Sequence, residues 1–146
     1  GKKFEPYSEM TRAEYITSIV TALGIAPEWD VVFEDSNAGD WHFKFISAAY
    51  KAGLIVGDGS GKCMPNEKIT AEQAAVIMAK AIELRGKESI NNTSSPFSGN
   101  ISAWAMPFVD KCADNGIFDD IIFNAKAPVI RSYMAQMVYN LVAEDK

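Results

Sequence analysis

The feature that most limits what this chain can fold into is an internal repeat. Residues 11–14 read T-R-A-E, and 59 residues further on residues 70–73 read T-A-E-Q. Both are capping boxes: a threonine accepts from the amide three residues on, and the Glu or Gln there reaches back to the threonine amide. Behind the first box, Tyr15, Ile16, Ile19, Val20 and Leu23 recur at spacings of three and four, one face of a helix, and Gly24 stands as its stop. A-A-V-I-M-A-K-A-I-E-L follows the second box, and V-I-R-S-Y-M-A-Q-M-V-Y-N-L-V at 129–142 is a third copy, with Arg131 in the place of Arg12 and Ala71 between them. The loops ahead of the first two helices also align, pairing Pro6 with Pro65, Met10 with Ile69 and, after a one-residue deletion, Gly1 with Gly61.

A second element also repeats. Residues 33–57 align with 97–120, pairing Trp41 with Trp104, Phe45 with Phe108, Ala52 with Asn115 and Gly53 with Gly116. Each reads as a short helix. Asp40 and Ser102 are the expected N-caps, Pro107 falls within the early turns where proline costs least, and Gly53 and Gly116 are the stops. The order is A, B, A, B, A, with connectors at Pro27 and at residues 85–96. The first A helix has no B element ahead of it, so the chain is expected to begin inside a repeat.

One residue fits this scheme poorly. Arg12 occupies the first helical position, where the helix dipole disfavours a cation by a few tenths of a kcal/mol. A guanidinium beside free helix amides is a good site for a carboxylate or phosphate. The alternative is a surface salt bridge worth ~0–1 kcal/mol.

The net charge of −5 argues against a general nucleic-acid binder, which would carry a basic stripe. No apolar run approaches the ~20 residues of a membrane span, and no signal peptide is visible. Cys63 and Cys112 lack metal or redox spacing and are expected to be buried free thiols. Counting an EF-hand loop from Asp35 or Asp58 puts Ile46 or Ile69 where a bidentate glutamate belongs, so no calcium, and no cofactor of any kind, is expected. His42 has no second ligand at metal spacing and is expected to be exposed. No nucleophile elbow, Cys–His pair or phosphate loop is present, and the chain is not expected to be an enzyme.

A unit of F33-E-D35, Trp41, G53-L-I-V-G57, G61-K-C-M-P65 and T-R-A-E resembles the S-layer homology repeat. The resemblance spans nearly the whole chain and weakens in F97-S-G99 and I130-R-S-Y133; Cys63 stands where the family has phenylalanine. It implies a mainly α, pseudo-threefold domain of helix pairs joined by loops, with little or no β-structure. Residues 1–146 would form that single domain: 1–32 the second half of repeat one, 33–96 repeat two and 97–146 repeat three. It also implies an exported protein of the Gram-positive cell surface. Such a domain anchors its parent noncovalently to an acidic secondary cell-wall polysaccharide, commonly pyruvylated on N-acetylmannosamine, in grooves near the T-R-A-E starts. A degenerate repeat domain that binds protein, or itself, is the alternative.

On that resemblance the candidate carbohydrate-binding residues are Arg12, Trp41, Asp35, Gly57, Asp58, Arg131 and Trp104. Arg12 and Arg131 would clamp a carboxylate. Ala71 could not, and its groove should be weak. Trp41 and Trp104 offer a flat face to a sugar ring and an indole donor. Alternatively Trp41, Phe45, Ala48 and Ala52 form a core stripe at helical spacing. Asp35 either accepts from sugar hydroxyls or holds a turn. Gly57 and Asp58 begin a tight loop where backbone could approach a ligand.

Overall fold

The computed structural model describes residues 5–30, 32–56, 59–86 and 100–143. The expectations for Gly1, for residues 87–96 of the connector and for F97-S-G99 lie outside them. Among the described residues there are five helices and no strand: α1 (Arg12–Ala22), α2 (Phe43–Ala52), α3 (Ala71–Leu84), α4 (Met106–Asp114) and α5 (Arg131–Val142). None is long and apolar enough to cross a membrane. The chain divides into two compact units, one formed by Thr11–Glu67 and the other by Gly1–Met10 with Lys68–Lys146.

In the Thr11–Glu67 unit α1 packs on α2. Ala13, Tyr15, Ile16, Ile19 and Val20 bury the apolar face of α1, as its three-and-four spacing predicts. The capping box forms, with Glu14 N donating to Thr11 Oγ1 at 3.1 Å and Thr11 N to Glu14 Oε1 at 2.9 Å. At the far end of α2, Gly53 adopts φ of +84° and Leu54 N closes back on Ala49 O at 2.9 Å, which uses a carbonyl the helix would otherwise leave open.

The start of α2 corrects the expected cap. The helix begins at Phe43 with His42 at the cap and no side-chain cap bond. Asp40 instead heads a backbone turn, in which Phe43 N donates to Asp40 O at 3.1 Å, while its carboxylate accepts from Asn37 N at 2.9 Å. This turn tucks His42 inward to 4 % exposure, 3.4 Å from Ser36 Oγ through Nδ1, so the expectation of an exposed histidine is overturned. The buried face of α2 is Phe43, Ile46, Ser47, Ala48 and Ala49. Trp41 stands 56 % exposed, so the core stripe through Trp41 and Phe45 is not what the helix buries.

In the other unit α3 packs on α4, and α3 carries the second capping box, between Thr70 and Gln73. Helix α4 starts at Met106 behind Ala105, without a side-chain cap, and Pro107 lies in its first turn. Ser102, the expected cap, heads a turn through its carbonyl, which accepts from Ala105 N at 2.9 Å. Both cysteines are free and buried. Burial raises the thiol of each above its ordinary value; for Cys63, helped by the neighbouring Asp35 carboxylate, the result is about 12.

The repeat acquires a physical meaning at the residues just ahead of these helices. Met10 N donates to Val129 O at 2.8 Å, Val129 N to Ile69 O at 2.8 Å, and Ile69 N to Met10 O at 3.0 Å. Three equivalent positions thus close a threefold ring of backbone bonds, and all three side chains are buried. A buried amide needs an acceptor, and the ring supplies one to each copy from the next.

Candidate carbohydrate-binding site

Each A helix starts against a loop of the same kind. Arg12 N donates to Glu67 O at 2.8 Å and Ala13 N to Pro65 O at 2.9 Å. At α3 the pairs are Ala71 N to Ala127 O and Glu72 N to Ala125 O; at α5 they are Arg131 N to Ser8 O and Ser132 N to Pro6 O. The first amides of all three helices are therefore occupied by carbonyls. This overturns the expectation that free helix amides would share the grip on a carboxylate with Arg12. Whatever an anion meets at the start of α1 is side chain.

Within the Thr11–Glu67 unit, two predicted residues converge on one short segment. Arg12 Nε donates to Cys63 O at 3.0 Å. Asp35 accepts from Cys63 N at 2.9 Å, from Met64 N at 3.0 Å and from Cys63 Sγ at 3.3 Å. The guanidinium and the carboxylate thus hold opposite sides of the Cys63 peptide group. Partial burial pushes the Asp35 carboxyl up, but the two amides and the thiol outweigh it and hold the carboxyl below its ordinary value. Met64, held by that carboxylate, sits at φ of +54°, a strained value for a side chain with a Cβ. Asp35 is thus engaged with the loop that leads into α3, 28 and 29 residues away. Gly57 and Asp58 lie outside the described residues.

In the other unit Trp104 is 54 % exposed in the turn before α4, and Arg131 opens α5 behind Ile130, which provides no side-chain cap. Around Ala71 the surroundings are apolar: Phe118, Phe123, Pro128 and Tyr133 line a pocket there with Ala71 itself. An anion would find no charged group among these residues. Beside it stands a polar cluster that local sequence pattern did not reveal. Glu72 is 4 % exposed and accepts from Ser102 N at 2.9 Å, from Ser102 Oγ at 2.8 Å and from Lys126 Nζ at 2.9 Å. Burial pushes its carboxyl up, but these donors outweigh burial and leave it below its ordinary value. Its partners lie 30 and 54 residues away, so no local motif could have signalled the cluster.

Helices begun on repeated loops, two of them opened by capping boxes, with exposed tryptophans ahead of the B helices, define a helical repeat module that presents side chains near helix starts. Residues 32–75 match the S-layer homology domain, and the chain carries an S-layer homology domain. A surface-layer 125 kDa protein of Lysinibacillus sphaericus is 28 % identical across 97 % of this chain and 12 % of that protein. An amylopullulanase of Thermoanaerobacterium thermosulfurigenes is 35 % identical across 98 % of this chain and 8 % of its own length. Exoglucanase XynX of Acetivibrio thermocellus is 36 % identical across 98 % of this chain and 14 % of its own. The chain thus spans 8–14 % of the length of these relatives. The S-layer homology domain is an anchoring module, and it associates this chain with the cell surface.

Proposed function

We propose that this chain holds its parent protein at the cell wall by binding an acidic secondary cell-wall polysaccharide, with pyruvylated N-acetylmannosamine as the recognised sugar. The observation that carries the reading is the S-layer homology match, extended over nearly the whole chain by relatives of different kinds. A surface-layer protein and two enzymes named for different polysaccharides share this one segment, which is a small part of each. A segment common to proteins of unlike activity is what a shared anchor would be. Arg12 and Arg131 supply cations at the starts of α1 and α5, and Trp41 and Trp104 supply exposed rings ahead of α2 and α4. Asp35 acts through the loop it holds. The start of α3, with Ala71 and its apolar surroundings, takes no carboxylate.

The test is co-sedimentation of the chain with bacterial sacculi before and after acid extraction of the secondary polysaccharide. The proposal expects binding that extraction abolishes and that Arg12→Ala weakens by about 2–3 kcal/mol, the scale of a charge-assisted pair. Binding indifferent to both treatments would contradict it.

A further inference from the structure

Trp29 lies outside the matched residues and has no counterpart in the repeat, yet its neighbours on both sides are bonded to α2 while its ring is left 64 % exposed. A single exposed apolar side chain on a mobile loop would need no explanation. Trp29 is different because α2 grips its segment on both sides. Glu28 N donates to Lys44 O at 3.2 Å, and Asp30 O accepts from Ser47 Oγ. Lys51 Nζ then ties the carboxylates of Asp30 and Glu28, at 2.6 and 3.5 Å. The indole stands 6.4 Å from the ring of the buried Phe43.

The charge beside it is equally particular. Lys44 Nζ lies 5.7 Å from the Trp29 ring centroid and 5.3 Å from that of Phe45. The two acids flanking Trp29 are engaged by Lys51, so the Lys44 ammonium rests on aromatic faces rather than on either of them. An ammonium over a ring keeps its capacity to donate to an incoming oxygen. A preorganised indole with a cation at its side matches one ligand class: a pyranose whose apolar C–H face lies on the ring and whose carboxylate or hydroxyl meets the ammonium. Lys44 and Phe45 lie in the first turn of α2, three and four residues after the exposed Trp41, which stands in the turn ahead of the helix.

We infer that Trp29 and Lys44 form a further sugar subsite for the wall polymer, beside the first turn of α2. The inference rests on the anchor reading above. A rigid platform loses little entropy when a sugar settles on it, and a second platform favours an extended polymer over a single sugar.

The probe is the polysaccharide released from sacculi by acid, titrated against the unmodified chain and its variants. Trp29→Ala should weaken binding about tenfold, the scale of one lost aromatic platform, and Trp29→Tyr should restore most of it. Lys44→Met should weaken binding and reduce its salt dependence. Residue-resolved oxidative footprinting of the unmodified chain should show Trp29 protected by the polymer, a readout that no folding defect can mimic. If Arg12→Ala weakens binding while Trp29→Ala does not and Trp29 stays unprotected, the anchor stands and the subsite is overturned. If the unmodified chain binds no polymer, the anchor reading falls and this inference with it.

Discussion

At the scale of single residues, the polar side chains near the start of α1 divide into those that build a loop and one that we propose also meets a ligand. Asp35 accepts from two successive amides of Cys63 and Met64, and Arg12 Nε holds the carbonyl between them. Asp35→Ala leaves those amides without their acceptor and should destabilise the chain by about 1–3 kcal/mol, read as a lower denaturant midpoint. Asp35→Asn keeps one acceptor oxygen and should cost about half as much. Arg12→Lys should retain the fold while losing most polymer binding, because an ammonium cannot supply the planar fork that a carboxylate matches. Equal binding by Arg12→Lys would remove the bidentate clamp from the account. The loop contact of Arg12 could not be read from T-R-A-E alone: its partner, Cys63, is 51 residues away. The partners of Asp35, 28 and 29 residues away, gave no local signal either.

At the scale of elements, helix starts were legible where a side chain makes them and misplaced where the backbone does. Thr11 and Thr70 cap α1 and α3 as their boxes announce. Thr11→Ala and Thr70→Ala should each cost about 1 kcal/mol in thermal or denaturant unfolding. Ile130→Ala, at the equivalent position of α5, removes no cap bond, so any cost would come from lost apolar contact. Helices α2 and α4 begin three and four residues after Asp40 and Ser102, because backbone turns rather than side-chain caps lead into them. That shift moved the predicted faces: it buries His42 and exposes Trp41. The glycine stops at Gly24, Gly53 and Gly116 were readable because each needs a positive φ that other residues adopt at a cost. The ring through Met10, Ile69 and Val129 was only half visible. The sequence repeats three apolar residues ahead of the helices, but the bonds that join them are entirely backbone.

At the scale of the whole molecule, the chain is acidic, with a net charge of −5, yet is proposed to take an acidic polymer. Binding must then be local, through a few arginines and lysines, and should weaken only moderately with salt rather than steeply as for a basic groove. Acidity also sets its stability. The carboxyls of Asp35 and Glu72 are both held below their ordinary values of 3.8 and 4.5 by hydrogen bonds made in the folded state. Such groups contribute stability in full above the unfolded value and lose it as pH falls through the folded one. The melting temperature should therefore be level from neutrality to about pH 5 and fall below it. An Asp35→Asn, Glu72→Gln variant should start lower at neutral pH and show a shallower acid limb. Trp29 was missed at every scale of sequence reading, since it belongs to no repeat and no motif. Its environment is assembled by α2 from residues 14 to 22 positions further on.

The most direct test of the central claim is calorimetric titration of the purified wall polysaccharide into this chain, with the polymer's carboxylates intact and after removal of the pyruvate ketals. Saturable binding to the intact polymer, lost or weakened at least about tenfold without the ketals, is expected. Equal affinity for both polymers, or none for either, would contradict that claim.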